Sequence, residues 1–294
     1  MLEKLSTETR NCNTMSLDGM KIKDILLVMN KEDRNVPTAI MNEITQIEHV
    51  VHAVIRSFRA GGRLFYIGAG TSGRLGILDA VECVPTFGVS PEIVQGVIAG
   101  GMEAFTMAVE GAEDRADLGV EDLKSVSITE KDTIIGIAAS GRTPYVIGAL
   151  QYANERGATT AAISCNKNAD MSKYAKFAIE IETGPEVLTG STRLKAGTAQ
   201  KLVLNMISTA SMIGIGKVYE NLMVDVQATN KKLVERSKRI IMEATQVDYE
   251  TAQKYYEESQ HHVKTAIVMI LLQCSAKEAR EKLQTVGGFV RKAL

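Results

Sequence analysis

The chain has 294 residues, a formal net charge of −1 and an apolar fraction of 45%, values typical of a globular protein with a large core. Lys and Arg are scattered along the sequence, which argues against a basic nucleic-acid-binding surface and against a polybasic membrane patch. We therefore expect neither a nucleic-acid partner nor a membrane partner.

The first part of the chain combines a polar arm with two helices. Residues 1–18 are polar and lack periodicity, which indicates an arm or an extended segment. One helix is predicted over residues 21–31. A second is predicted from just after Pro37 to residue 58, because apolar residues recur there at helical spacing and a pair of glycines follows.

From residue 63 onward, short apolar strands alternate with helices. Strands are predicted at 63–67, 93–99, 133–138, 160–165 and 177–182, and helices at 75–81, 104–109, 144–156 and 196–213. Short, doubly buried strands that alternate with helices specify a parallel sheet covered on both faces. Right-handed crossovers then give an α/β fold with a doubly wound parallel five-stranded sheet.

After the sheet region the pattern becomes purely helical. Helices are predicted at 233–244, 249–259, 263–272 and 276–284, with no strand candidate among them. We therefore expect three parts: an N-terminal arm with helices over residues 1–54, a sheet domain over 55–218, and a small C-terminal helical subdomain over 219–294.

Loops rich in Gly, Ser and Thr follow three of the predicted strands, at 68–74, 139–144 and 190–198. Ligands of open α/β sheets bind outside the carboxyl ends of the strands. Helix N-termini bind anions there, hydroxyls add donors, and glycine lets the backbone approach closely. The candidate ligand contacts are Gly70, Thr71, Ser72, Ser140, Gly141, Arg142, Thr143, Ser191 and Thr192.

A simpler interpretation of each loop is that its Ser or Thr only caps the following helix. Three such loops in one sheet, two of them containing Ser-Gly-Arg, favour a phosphate site instead. The first loop also matches the dinucleotide pattern GxGxxG, but the second strand ends at Ala99-Gly100 without the acid that holds a ribose. The P-loop pattern of ATP-binding proteins is absent from the sequence.

Six acidic residues near these loops are candidates for acid–base chemistry: Asp79, Glu82, Glu110, Glu113, Asp114 and Glu186. Glu82 precedes an apolar turn that contains Pro85, where partial desolvation raises the pKa of a carboxyl. Glu113 lies in an acidic segment, and Glu186 directly precedes the third loop. Because most Glu residues are solvated surface charges, spacing alone leaves open which of them is catalytic.

The three loops together resemble those of the sugar isomerase (SIS) domain family. More narrowly, the whole chain resembles the N-acetylmuramic acid 6-phosphate etherase family. The resemblance is carried by Thr-Glu-Thr-Arg-Asn at 7–11, Leu-Gly-Ile-Leu-Asp-Ala-Val-Glu-Cys at 75–83, Asn-Leu-Met-Val-Asp-Val-Gln-Ala-Thr-Asn at 221–230 and Gly-Gly-Phe-Val-Arg at 287–291. It covers nearly the full length.

The resemblance implies a lyase reaction in cell-wall sugar recycling or catabolism. The family cleaves the lactyl ether of N-acetylmuramic acid 6-phosphate to N-acetylglucosamine 6-phosphate and D-lactate. A base removes the C2 proton, lactate leaves C3 with a proton from an acid, and water then adds at C3. The resemblance also implies a homodimer, and it implies no metal or redox cofactor.

By motif, the resemblance implies that Glu82 donates the proton to departing lactate and that Glu113 serves as the second catalytic acid, at C2. Lys232 is a weaker candidate for contact near C1 or C5 of the sugar. Two alternatives stay open: an aldose–ketose isomerase with Glu186 as its base, and a non-catalytic sugar-phosphate-binding regulator. The two carboxylates favour an enzyme, and the absence of a helix-turn-helix pattern counts against a transcriptional regulator.

The cysteines and the N-terminus favour a cytoplasmic protein. None of the four cysteines pairs with another in a CxxC spacing, so reduced thiols are expected. The sequence starts without the apolar core of a signal peptide and contains no apolar run of 18 residues. His49 and His52 share a helix face, but no metal-site context surrounds them, and we expect no metal.

Overall fold

The structure is a computed structural model, and it describes residues 5–228 and 230–294. Its contacts divide the chain into two compact units. The first contains the residues up to Ala80 together with Glu92–Ser208, and the second contains Val81–Pro91 and Thr209–Leu294. The N-terminal arm and helices thus share a unit with the sheet. The functional boundaries expected at residues 54/55 and 218/219 stay a prediction.

A parallel sheet of five strands in the order β2-β1-β3-β4-β5 organises the first unit, as far as the chain is described. The strand order reverses between β1 and β3, and ligands of such sheets bind at this switch point. The predicted α/β fold and all five predicted strands are confirmed. The strands are β1 (Leu64–Gly68), β2 (Val94–Ile98), β3 (Thr133–Ile137), β4 (Thr159–Ser164) and β5 (Phe177–Glu180).

Helices precede the sheet, connect its strands and form the C-terminal region. Along the chain they are α1 (Ile22–Asp33), α2 (Asn35–Met41), α3 (Ile44–Arg59), α4 (Gly70–Phe87), α5 (Glu103–Thr106), α6 (Ala116–Ser125), α7 (Pro144–Glu155), α8 (Lys195–Gly214), α9 (Lys231–Thr245), α10 (Tyr249–Glu258), α11 (Val263–Leu272), α12 (Ala276–Thr285) and α13 (Val290–Ala293).

The second predicted helix is two helices, α2 and α3, separated at Asn42 and Glu43. The prediction of one continuous helix was therefore wrong. Glu43 leaves helical geometry there, and its buried carboxylate accepts hydrogen bonds from Lys167 Nζ and from the backbone N–H of Glu180, at 3.2 Å for the latter. The apolar spacing in the sequence is continuous across this point, but the tertiary contact of Glu43 with the end of β5 accompanies a break in the helix.

Helix α4 is longer than predicted because its glycines belong to its first turn. A Cβ added at Gly73 would lie 2.7 Å from the Gly68 carbonyl oxygen and 2.6 Å from Ile98 Cγ1. Glycine therefore lets the helix start directly on the end of β1. Helix α6, which was not predicted, also contains a packing glycine: a Cβ at Gly119 would lie 2.1 Å from the Tyr145 carbonyl oxygen.

The core of the first unit lies between the sheet and its helices. Every residue of β1 and β3 is buried. Tyr145 and Leu150 of α7 are fully buried against Phe65 and Ile134 in one apolar cluster. Burial on both faces explains why these strands read as continuous apolar runs rather than alternating ones.

The second unit has an all-helical core of its own. Ile241, Tyr256 and Ile267 belong to one buried apolar cluster of α9–α13. Helix α12 begins with a capping box in which Ser275 and Glu278 satisfy each other's backbone N–H groups. Within residues 5–228 and 230–294, no helix is both long and apolar enough to cross a membrane.

The contact between α6 and α7 gives a stability prediction. A Cβ at Gly148 would lie 2.2 Å from the Ala116 carbonyl oxygen, so we expect Gly148→Ala to lower the free energy of unfolding by about 1–3 kcal/mol through overpacking. Without the clash, Gly→Ala inside a helix would stabilise it by about 1 kcal/mol. Urea unfolding measures the effect.

Gly19→Ala is the matched control, because nothing lies within 4 Å of a Cβ at Gly19. We expect its unfolding midpoint to stay close to that of the wild type. A Gly148→Ala variant that is as stable as the wild type, or more so, would show that the two helices can separate without cost.

Candidate functional site

A cleft of about 480 Å³ opens at the carboxyl ends of the strands of the first unit. It brings together the loop after β3, the acidic segment and the N-terminal arm. This is the side of the sheet on which the switch point between β1 and β3 opens. Its walls are formed by Leu5, Glu113, Asp114, Ser140, Arg142, Thr143 and Pro144.

Glu113 stands between this cleft and a second, smaller one. It lies in a 3₁₀ turn, Ala112–Asp114, that follows Gly111 in a left-handed conformation with φ of 74°. The smaller cleft, of about 160 Å³, is also lined by Gly70 and Arg74 from the loop after β1. The Glu113 side chain is exposed, so the structure places an accessible carboxylate beside two of the three predicted phosphate loops.

The first turn of α4, which the sequence predicted as the loop after β1, is fastened to the start of α8. Ser72 is only 7% exposed, and its hydroxyl donates to Gln200 Oε1 at 3.0 Å. A Cβ at Gly197 would lie 3.6 Å from Thr71 Cγ2. Gly70 begins α4 with a left-handed φ of 52°. The predicted ligand contact of Ser72 stays a prediction, and its observed partner is Gln200.

The loop after β3 is more open. Ser140 is half-buried and accepts a hydrogen bond from the backbone N–H of Arg142 at 3.3 Å. Gly141 has a left-handed φ of 69°. The Arg142 guanidinium is exposed and lies 3.4 Å from Asp170 Oδ2. Thr143 is the N-cap residue of α7, but its side chain forms no capping hydrogen bond with the described residues. Its hydroxyl is therefore available to a ligand.

The loop after β5 is organised by a buried carboxylate. Glu186 is 1% exposed, and its two oxygens accept from the backbone N–H groups of Lys195 and Ala196 at 3.1 and 2.9 Å. Burial raises the pKa of Glu186 above its ordinary value, although these two donors act in the opposite direction. Ser191 and Thr192 are half-buried in the same loop. The first turn of α8 is thus capped by protein and not left open for an anion.

A buried ion pair joins the start of α8 to α1. Lys195 Nζ lies 2.8 Å from Glu32 Oε2, and both side chains are buried. Burial alone would raise the pKa of Glu32, but hydrogen bonds from Lys195 and Asn13 outweigh it and hold the pKa below its ordinary value. Removing one partner of such a pair typically costs about 3–5 kcal/mol.

Two predicted residues belong to the second unit. Glu82 is exposed on α4, two residues after the division between the units. The prediction of a partly desolvated carboxyl before a turn was wrong, because α4 continues through Pro85 to Phe87. Lys232 is exposed in the first turn of α9, whose N-cap Asn230 accepts from the backbone N–H of Leu233 at 2.9 Å. It lines a cleft of about 530 Å³ together with Asn221, Leu222, Met223, Glu235, Arg236, Arg239, Ile240 and Glu243. The roles of both residues stay predictions.

Asp79, three residues before Glu82, is a buried carboxylate. Its Oδ1 accepts from Asn205 Nδ2 at 2.7 Å and from the Ser208 hydroxyl at 3.1 Å. Burial raises the pKa of Asp79, outweighing the hydrogen bonds from Asn205, Tyr66 and Ser208. Its contacts assign it to the packing of α4 against β1 and α8.

Sequence reasoning missed Asn166, which lies two residues after the end of β4. This buried side chain donates to the Thr7 hydroxyl and to the Ala139 carbonyl oxygen, both at 3.0 Å, and its Oδ1 accepts from the Ser6 hydroxyl at 3.0 Å. A polar residue right after a buried parallel strand was the available signal.

No group of three or more His, Cys, Asp or Glu side chains suited to a metal ion occurs within the described ranges. His52 instead lies 3.6 Å from Glu48 on the same helix. The four cysteines are free thiols.

Comparison with known proteins places the chain in a family. Two family models match, the SIS domain over residues 121–210 and the glucokinase regulatory protein N-terminal SIS domain over residues 46–154. A solved structure of phosphoheptose isomerase GmhA from Neisseria gonorrhoeae has a TM-score of 0.50 at 13% identity, over 65% of this chain and 99% of that one. This likeness shows the fold alone.

Two curated relatives are similar over their full length. Both are N-acetylmuramic acid 6-phosphate etherases of Bacillus cereus. The one from strain AH187 is 70% identical, and the one from strain ATCC 10987 is 71% identical, each over all of this chain and all of the relative. The chain belongs to the N-acetylmuramic acid 6-phosphate etherase family.

Proposed function

We propose that this chain is a carbon–oxygen lyase that cleaves the D-lactyl ether of N-acetylmuramic acid 6-phosphate, releasing N-acetylglucosamine 6-phosphate and D-lactate. The observation that carries the proposal is the cleft in which Glu113 lies beside Ser140, Arg142 and Thr143. It occurs in a chain that is 70% identical over its full length to a relative named for that activity.

The cleft suits a sugar phosphate. Ser140 and Thr143 offer hydroxyl donors at the start of α7, where the helix dipole favours an anion. Arg142 adds a positive charge, and arginine matches the geometry of phosphate oxygens. Binding energy gained at the phosphate orients the reacting carbons of the far end of the substrate.

The reaction proceeds by elimination and hydration. With the sugar open to its aldehyde, the C1 carbonyl acidifies the C2 proton, and a base removes it. The C3–O bond then breaks, and lactate takes a proton from a general acid. The hydroxyl of a water molecule then adds to C3 of the unsaturated aldehyde, and the remaining proton of that water passes to the deprotonated acid. The protonated base returns its proton to C2, so the acid and the base are both regenerated.

We assign Glu82 as the acid that protonates the departing lactate and Glu113 as the base that removes the C2 proton. Elimination beside a carbonyl needs two proton-transfer groups with opposite tasks, and a pair of carboxylates supplies them. The exposed position of Glu113 beside the phosphate loops supports its assignment. The assignment of Glu82, of Lys232 as a sugar contact, and of Gly70, Thr71, Ser72, Gly141, Ser191 and Thr192 as substrate contacts rests on their motifs.

An isomerase that uses Glu186 as its base fits the structure less well. The Glu186 carboxylate is 1% exposed and is held by two backbone N–H groups of α8. A general base must come within hydrogen-bond reach of the proton that it abstracts. Glu186 would have to release the first turn of α8 before it met a substrate.

We further propose that the enzyme works in the cytoplasm as a homodimer. An apolar stripe on α1 supports the dimer: Ile22, Leu26 and Leu27 are 72%, 61% and 58% exposed. Contiguous exposed apolar residues of this kind commonly mark protein–protein interfaces.

The direct test of the function is release of D-lactate from N-acetylmuramic acid 6-phosphate by the purified chain, measured with D-lactate dehydrogenase. We expect stoichiometric D-lactate and N-acetylglucosamine 6-phosphate. Binding of the substrate without turnover would favour the non-catalytic sugar-phosphate-binding alternative.

For the catalytic carboxylates, we expect Glu82→Gln and Glu113→Gln each to fold and to lower turnover by about 10²–10⁴-fold, because an amide of the same size cannot transfer a proton. Glu113→Gln should also lose exchange of the C2 proton with deuterated solvent, whereas Glu82→Gln should retain some. Glu121→Gln, an exposed carboxylate on α6, is the control. Turnover within a few-fold of wild type in Glu82→Gln would assign that residue a structural role.

For the phosphate contacts, we expect Ser140→Ala to raise KM by about 10–100-fold with little change in kcat, because one hydrogen bond to a charged group is worth about 1.5–3 kcal/mol. Ser125→Ala, at the exposed end of α6, is the control. Equal reactivity of unphosphorylated N-acetylmuramic acid would contradict the whole phosphate assignment.

For the dimer, we expect Leu26→Glu combined with Leu27→Glu to give monomers at micromolar concentration, because charge on an apolar interface is costly to bury. Sedimentation velocity measures the change. Leu271→Glu places a charge on another exposed leucine, which is 38% exposed, and should leave the dimer intact. A wild-type monomer with full activity would remove this proposal.

A further inference from the structure

The N-terminal arm crosses the ends of three strands of its own unit. Leu5 lines the cleft with Ser140, after β3. Ser6 and Thr7 bind Asn166, after β4. Asn11 Nδ2 donates to the Pro185 carbonyl oxygen at 3.2 Å, after β5. Because ligands of this kind of sheet bind at those strand ends, the arm forms a wall of the proposed site in its own protomer.

Asn166 fixes the arm by binding it and the sheet at once. Its Nδ2 donates to the Thr7 hydroxyl and to the Ala139 carbonyl oxygen. The backbone carbonyl oxygen of Asn166 accepts from the Ser164 hydroxyl at 2.8 Å. Thr7 is fully buried. Such a saturated, buried polar network holds its members in one geometry, so the residue that follows Thr7 has a defined position.

That residue is Glu8, and its carboxylate lies at the third predicted ligand loop. A Cβ added at Gly190 would be 3.7 Å from Glu8 Oε2, and Thr7 Oγ1 lies 3.5 Å from Glu8 Oε1. The side chain is half-buried. Within residues 5–228 and 230–294, no Lys, Arg or His forms an ion pair with it.

A half-buried carboxylate repels a phosphate but accepts hydrogen bonds from neutral donors. The phosphate of a substrate would therefore lie toward Ser140, Arg142 and Thr143, and the neutral hydroxyl and amide N–H groups of the sugar would lie toward Glu8. The arrangement separates the charged end of a phosphosugar from its polyol part.

We propose that Glu8 is a substrate-positioning residue whose carboxylate accepts hydrogen bonds from hydroxyl or N–H groups of the sugar, and that Asn166 sets its position. The inference rests on the proposed function, because it takes a phosphosugar as the ligand. It deepens that function by adding a contact to the neutral part of the substrate.

The test compares the binding of two probes, N-acetylglucosamine 6-phosphate and inorganic phosphate, by isothermal titration calorimetry. We expect Glu8→Ala to raise the Kd of the sugar phosphate by about 10–100-fold, the size of one hydrogen bond to a charged group. The Kd of inorganic phosphate should change by less than about two-fold, since phosphate does not reach Glu8. Glu8→Gln keeps one acceptor oxygen and should lie between Glu8→Ala and wild type.

Two further variants separate positioning from general stability. Asp18→Asn removes an exposed carboxylate elsewhere on the arm and should bind both probes like the wild type. Asn166→Ala should weaken sugar-phosphate binding in the same direction as Glu8→Ala. The double variant should bind about as weakly as Glu8→Ala alone, because the two residues act on one contact.

The outcomes distinguish this inference from the function on which it rests. A wild-type chain that binds phosphate but not N-acetylglucosamine 6-phosphate would overturn both. A wild-type chain that binds the sugar phosphate, together with a folded Glu8→Ala of unchanged affinity, would overturn the Glu8 assignment alone. Fully additive losses in the double variant would overturn the positioning role of Asn166.

Discussion

Backbone N–H groups at the start of a helix need acceptors, and the way in which each loop meets this requirement determines what the site can bind. Helix α8 meets it internally, because the buried Glu186 carboxylate accepts from its first N–H groups. Thr143, at the start of α7, makes no such side-chain bond to the described chain. Loops that look alike in sequence therefore differ in what they leave for a ligand. The loop after β3 therefore keeps more of its side-chain hydrogen-bonding groups accessible than the loop before α8.

Much of the fold was predictable because its signals are local. Continuous apolar runs marked the strands, and glycine with Ser or Thr marked the loops that follow them. The helix break at Glu43 was not predictable, since it depends on a carboxylate that meets β5 from far along the chain. The position of Gly73 inside α4 was not predictable either. Glycine is required there because two backbone segments approach closely, which is a tertiary contact.

Some parts of the candidate site were predictable from the sequence, and others were not. The residue types and the loops of the cleft were predicted, and the structure brings Glu113, Ser140, Arg142 and Thr143 together. The contribution of the arm was not predicted in this form, because Thr7 and Asn166 are separated by 159 positions in sequence. The roles of Glu82 and Lys232 come from family motifs, and low-identity neighbours of the same fold carry no information about them.

Since Leu5 lines the cleft, and Ser6 and Thr7 are held by Asn166, an insertion within this part of the arm would place new chain against the proposed site. Engineering of the chain for quantitative binding work should therefore leave residues 5–11 unchanged.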